Sequence, residues 1–156
     1  MQTFITDPDP AVCARHLDNR RLNKQITESL QIIRASLYGT GWKNHPATKM
    51  WADHEHNLAL YNLHMIEEWW ERGYTSHLGS VEQVFDFMDT LPDTGWPVWW
   101  GDRLMIESHK SNLVRKAPEH YIELFGDIPN DLEYIWPVRK HTTGLSGGAV
   151  GDARLG

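Results

Sequence analysis

The sequence predicts an all-α fold: a compact single-domain bundle of about five to six helices. Three observations carry that expectation. Apolar residues recur at steps of three and four rather than two, helix start and stop signals bracket most of these runs, and no stretch shows convincing strand alternation. With 156 residues the chain is the size of one ordinary domain. We expect that domain over residues 1–140, followed by a flexible tail over 141–156 that holds five glycines and almost no large apolar residues.

The elements follow in order. Asp9-Pro10 pairs an N-cap with proline at the first helical position and opens a short helix to about Leu17. A second helix spans 19–38, where Leu22, Ile26, Leu30, Ile33 and Leu37 form a one-faced apolar stripe that stops at Gly39 and Gly41. Asn44-His45-Pro46 opens a third helix, in which Trp51, Leu58, Met65 and Trp69 form the core seam; Gly73 ends it. It is long for a small domain, so a bend is expected near residues 53–56. Ser80-Val81-Glu82-Gln83 reads as a capping box for a helix to about Thr90, stopped by Pro92. Residues 92–101 form a loop rich in proline and tryptophan. Further helices cover 102–116 and 118–126, and 127–138 is loop with one turn near residues 130–134.

Composition narrows the function classes. Hydrophobic residues make up 40% and charged residues 23%, which excludes wholesale disorder and fibres. The single cysteine, Cys13, forms no internal disulfide, and a reducing, cytoplasmic setting is expected. The chain has no apolar run of membrane length and no signal-peptide start, so a protein without a membrane partner is expected. Asp53, His54, Glu55 and His56 point around a helix rather than converging, so no metal is expected, and no cofactor.

The net charge of −6 is unevenly spread. Residues 1–49 hold seven Lys/Arg against four Asp/Glu, residues 50–101 one against nine, and residues 102–156 seven against eight. Two basic clusters stand out: Arg15, Arg20, Arg21 and Lys24, and then Lys110, Arg115 and Lys116. An acidic protein binds a polyanion when such residues converge on one face. On the second helix Arg21, Lys24, Gln25 and Glu28 fall opposite the apolar stripe, which sets a carboxylate among cations. On the helix over 102–116, His109, Asn112 and Lys116 share a face with Arg115 beside them, a donor set suited to phosphate oxygens. A solvated face with a Lys24–Glu28 pair remains the alternative reading of the first group, and a solvated helix or a buried histidine satisfied by a neighbour that of the second. His45 belongs to the N-cap region of its helix.

Several segments together resemble the pyrimidine-dimer DNA glycosylases, the phage endonuclease V type. They are Leu17-Asp18, Leu22, Ile26-Thr27-Glu28-Ser29-Leu30, Gly41-Trp42-Lys43-Asn44-His45-Pro46, Glu67 and Glu68 with Arg72-Gly73-Tyr74, and 109–121, in family order. The resemblance implies a compact all-α domain. It also implies that a chain-terminal amine attacks C1′ of the damaged nucleotide, that a Schiff base forms, and that β-elimination cuts the strand. The matching nucleophile here is the Met1 amine, with Lys24 as the other candidate amine, and Gln2 is bulky enough to disfavour removal of Met1. Glu28 takes the place of the family's helix-borne glutamate, with Ile26-Thr27 before it where the family pattern has an aromatic residue and arginine. His109 is a further catalytic candidate. Arg20, Arg21, His45, Asn112, Arg115 and Lys116 are the expected DNA contacts. The implied partner is double-stranded DNA carrying a damaged or modified base, the implied role is DNA repair, and the expected state is a monomer. The alternative is a nucleic-acid-binding module on the same scaffold that has lost catalysis.

Overall fold

A computed structural model describes residues 1–137 and the backbone of Arg154 and Leu155. Among these residues seven α-helices follow in order: α1 (Pro10–His16), α2 (Asn19–Tyr38), α3 (Pro46–Trp51), α4 (Glu55–Glu71), α5 (Leu78–Thr90), α6 (Arg103–Lys116) and α7 (Pro118–Phe125). Strand pairing among the described residues is confined to β1 (Trp136–Pro137), which runs antiparallel to β2 (Arg154–Leu155). The expected flexible tail otherwise lies outside the described residues.

Capping chemistry places the helix starts. Asp9 accepts a hydrogen bond from the Ala11 amide, and Asp18 accepts from the Arg21 amide. Each leaves one fewer unpaired amide at a helix start, worth about 1 kcal/mol. Gly39 ends α2 at φ 67°, a left-handed conformation that glycine adopts without a Cβ clash. Leu22, Ile26 and Ile33 on α2 are wholly withdrawn from water. Such burial is worth about 1.5–3 kcal/mol per side chain before chain entropy is counted.

The fold is all-α as expected, and the described residues form seven helices because the expected bend is a complete break. Ala52 turns extended after α3, and Asp53 follows at φ 71°. Glu55 Oε2 accepts from the Asp53 amide at 3.1 Å and from the Ser36 hydroxyl at 2.5 Å, so the break is tied back to α2. A correction concerns α5. It starts at Leu78 behind His77, which sits at φ 75° and makes no side-chain cap bond. Ser80 therefore lies within the first turn, its hydroxyl 3.2 Å from His77 Nδ1, and the expected capping box does not start the helix.

Helix α4 is the central beam, packed on α2, α1 and α5, while α6 pairs with α7. The tryptophan-rich loop ties the ends together: Trp99 Nε1 donates to the Met50 carbonyl at 3.0 Å and Trp100 Nε1 to the Pro8 carbonyl at 2.9 Å. Threaded through this frame is the N-terminal segment, whose residues Thr3, Phe4, Ile5 and Thr6 are all buried.

Candidate active site

A segment of four buried residues that belongs to no helix or strand must find partners for its amides and carbonyls elsewhere. Side chains supply them. The Phe4 amide donates to Gln25 Oε1 at 2.8 Å, and Gln25 Nε2 donates to the Gln2 carbonyl at 2.7 Å. The Tyr134 hydroxyl donates to the Thr3 carbonyl at 2.8 Å, and Trp51 Nε1 donates to the Thr3 hydroxyl at 3.1 Å. The Ile5 amide donates to His109 Nδ1 at 3.0 Å. This tether leads to Met1, which is half-buried and packs on the core.

Glu28 stands one turn of α2 beyond Gln25 and is half-buried. Its charge reaches three groups from other parts of the chain: His45 at the cap of α3, Tyr134 in the C-terminal loop, and Lys116 at the end of α6. His45 in turn feels the positive charge of the Met1 amine, so amine and carboxylate share one electrostatic neighbourhood. Burial holds His45 below the ordinary imidazole range, the amine's charge adds to this, and Glu28 opposes it. His45 Nδ1 accepts from the Ala47 amide at 3.0 Å, which leaves the hydrogen of the neutral ring on Nε2. The ring is bracketed edge-on by Trp42 at 5.6 Å and Trp136 at 5.5 Å.

The cations converge here from two helices. Lys116 is held below the usual lysine range by partial burial and by the charges of Arg21, Lys24 and Arg115, with Glu28 opposing. Arg21 also pairs with Asp18 at 3.3 Å. Lys24 is exposed. Arg115 is exposed but committed: its Nη1 donates to the Asn130 carbonyl at 2.7 Å and the Leu132 carbonyl at 3.3 Å, fixing the loop that carries Tyr134. Arg20 is exposed on α2, about 100° round the helix from Arg21. A cleft of about 250 Å³ continues the α2 face past Glu28, lined by Gln31, Arg34, Thr40, Gly41 and Trp42.

The structure separates His109 and Asn112 from this group. Both are buried. His109 accepts from the Ile5 amide, so its Nε2 carries the hydrogen and donates to the Ile135 carbonyl at 3.1 Å. Burial pushes its pKa down to about 3, and the ring lies stacked on Tyr134 at 4.1 Å. His109 is thus a neutral bracket between the N-terminal segment and the C-terminal loop, which matches the alternative reading of a buried histidine satisfied by neighbours rather than a phosphate contact or a solvated face. Gln25, which periodicity places on the solvated face of α2, is 1% exposed. Tyr134 and Trp136 fall in the segment expected to be loop, and nothing in their spacing marks them. Among the described residues no group of three or more His, Cys, Asp or Glu is placed to hold a metal ion.

The model of one family, described as pyrimidine dimer DNA glycosylase, matches residues 1–79. The chain belongs to the pyrimidine dimer DNA glycosylase family. No curated protein and no solved structure matches it. The family match takes in Met1, Lys24, Gln25, Glu28 and His45, whereas Lys116 and Tyr134 reach the same neighbourhood from outside it. A glycosylase of this family acts on DNA. Among the described residues no helix is long and apolar enough to cross a membrane.

Proposed function

We propose that the protein is a DNA N-glycosylase with associated AP-lyase activity, acting on a damaged or modified base in double-stranded DNA. The observation that carries this reading is the buried N-terminal segment, which Gln25 grips one helical turn before Glu28 and which leads to a half-buried Met1. The buried segment behind Met1 holds it there, whereas Lys24, the other candidate amine, is exposed.

In this reading the amine lone pair forms a bond to C1′ as the glycosidic bond breaks, and the base departs with those electrons and takes up a proton. Loss of the amine's proton and opening of the C1′–O4′ bond, with protonation of O4′, leave an imine. Glu28 is the group that protonates O4′ or removes the C2′ proton. Removal of that proton expels the 3′ phosphate and cuts the strand. Water then releases the sugar aldehyde and restores the amine. Arg21, Lys24 and Lys116 hold backbone phosphates, with Arg20 beside them, while Arg115 acts through the loop it fixes. The target nucleotide has to leave the base stack for C1′ to be reached, and the exposed Trp42 beside His45 offers an aromatic surface at that point.

Reductive trapping tests the reading. Borohydride added to the protein with abasic-site duplex should give a covalent protein–DNA adduct, and peptide mapping should place it on Met1. An adduct on Lys24 would move the nucleophile to α2. Binding without any adduct would leave a catalytically silent DNA-binding module, the reading that Ile26-Thr27 before Glu28 favours.

A further inference from the structure

Gln25 is a polar side chain in the interior of a helix, 1% exposed, with each end of its amide spent on the same N-terminal segment. Oε1 takes the Phe4 amide at 2.8 Å, and Nε2 gives a proton to the Gln2 carbonyl at 2.7 Å. The Tyr61 hydroxyl, also fully buried, presents its single proton between Gln25 Oε1 at 2.6 Å and the Phe4 carbonyl at 3.0 Å. A primary amide held this way reads a donor and an acceptor two residues apart, so it accepts one register and rejects the neighbouring ones. A slip of one residue would move both groups out of reach of the amide and leave buried groups unpaired.

Burying an amide in a core is tolerated only when its polar atoms are satisfied, and an apolar residue at this helix position would pack at lower cost. Gln25 stands one turn before Glu28 on a single rigid helix, and the Gln2 carbonyl it grips belongs to the residue next to Met1. We infer that Gln25 is a positioning residue for the reaction, its buried amide fixing the register of the segment that carries the Met1 amine. The inference rests on the proposed nucleophile, and it adds a requirement that nucleophile chemistry alone does not impose: the amine must sit on the residue immediately before Gln2. Hydrogen bonds to a rigid helix are suited to this, because a small misplacement of a nucleophile costs rate without costing substrate affinity.

The experiment compares single-turnover trapping rates at saturating abasic-site duplex with duplex affinity. Wild-type protein comes first: if it forms no adduct, the proposed nucleophile fails, and the inference about Gln25 falls with it before any variant is made. Given wild-type trapping, Gln25→Glu keeps an acceptor for the Phe4 amide but sets a carboxylate oxygen against the Gln2 carbonyl. It should trap at least tenfold more slowly with DNA affinity within about twofold. Val84→Ala, a cavity in α5, serves as a destabilised control that should trap at the wild-type rate. A second variant covers the case in which Gln25→Glu does not fold: one glycine added ahead of Met1 leaves every Gln25 hydrogen bond intact and moves the amine by about 3.3 Å. It should keep the wild-type melting midpoint and trap at least tenfold more slowly. Wild-type trapping in the extended chain, or a Gln25→Glu effect matched by Val84→Ala, would overturn the inference and leave Gln25 as a folding residue only.

Discussion

The Tyr134 hydroxyl donates to the carbonyl of Thr3 at 2.8 Å, joining residues 131 positions apart in the chain. Through this bond the C-terminal loop closes over the N-terminal segment, with Tyr134 also stacked on His109 and edge-on to Phe4. Burial holds the phenol far above its ordinary range, and the Glu28 charge adds to that, so Tyr134 remains a protonated donor at all physiological pH values. The loop around residue 134 and the N-terminal segment are thereby part of one structure behind the Met1 amine.

Tyr134→Phe keeps the stack on His109 and removes only the donor, leaving the Thr3 carbonyl buried without it. Stability should fall by about 1–3 kcal/mol. Calorimetry should show a melting midpoint lower by several degrees, and adduct formation should slow because the segment behind Met1 loosens. An unchanged midpoint would mean that the loop does not hold the segment.

Glu28→Gln tests the proton-transfer role. The substitution preserves shape at a half-buried position, so stability should change by less than about 1 kcal/mol. An amide does not exchange protons at neutral pH, and turnover should fall by about 10²–10⁴ with DNA affinity retained. Strand-cleavage assays with equal rates in both proteins would remove Glu28 from the mechanism. Failure to fold would instead make it a structural partner of the surrounding cations.

The basic surface has an electrostatic signature. Replacing Lys24 and Lys116 together with alanine should flatten the dependence of log affinity on log salt by about 0.9 for each phosphate that is no longer neutralised. Arg115→Ala should behave differently: its Nη1 bonds hold the Asn130 and Leu132 carbonyls, so the variant should lower the melting midpoint as well as affinity. Fluorescence titrations across a salt series separate the two effects, and an unchanged slope in the double variant would leave the lysines as solvated residues.

His109 makes acid stability predictable. Its folded pKa is about 3, against about 6.5 for an unfolded histidine. Between those values the unfolded chain binds the extra proton, so stability rises with pH through this window and falls as pH drops below about 6.5. A single site of this kind contributes a slope of up to about 1.4 kcal/mol per pH unit. His109→Gln retains a donor and an acceptor but takes up no proton. Denaturation midpoints from about pH 6.5 down to about pH 4 should therefore fall less steeply in the variant than in the wild type. Parallel curves would show that other groups dominate acid unfolding.

Local rules written into the chain determined the helices. Apolar residues at steps of three and four along 19–38, Asp9-Pro10, His45-Pro46 and the Gly39 stop each act within a few residues, and the structure places α1, α2 and α3 where those signals stand. The segments from Leu17 to Tyr74 likewise sufficed to indicate the family, whose model matches residues 1–79. Two local signals misled. Ser80 to Gln83 has the residues of a capping box, yet α5 starts earlier, behind a His77 in the left-handed conformation. The bend expected near residue 53 became a break, tied down by a carboxylate that bonds Ser36 on another helix.

What only the tertiary structure decided is which polar residues face inward. Helical periodicity sorts residues by direction, and Gln25 points away from the centre of the apolar stripe. It is buried because the N-terminal segment, more than twenty positions away, covers it. The same holds for His109, which the N-terminal segment and the C-terminal loop cover from outside its helix. Burial of a polar residue depends on a partner brought from far along the chain, and no rule acting over one or two turns reports that partner. The convergence of Met1, Glu28, His45 and Lys116 is of the same kind: each lies on a different element, and their shared electrostatic field exists only once those elements pack.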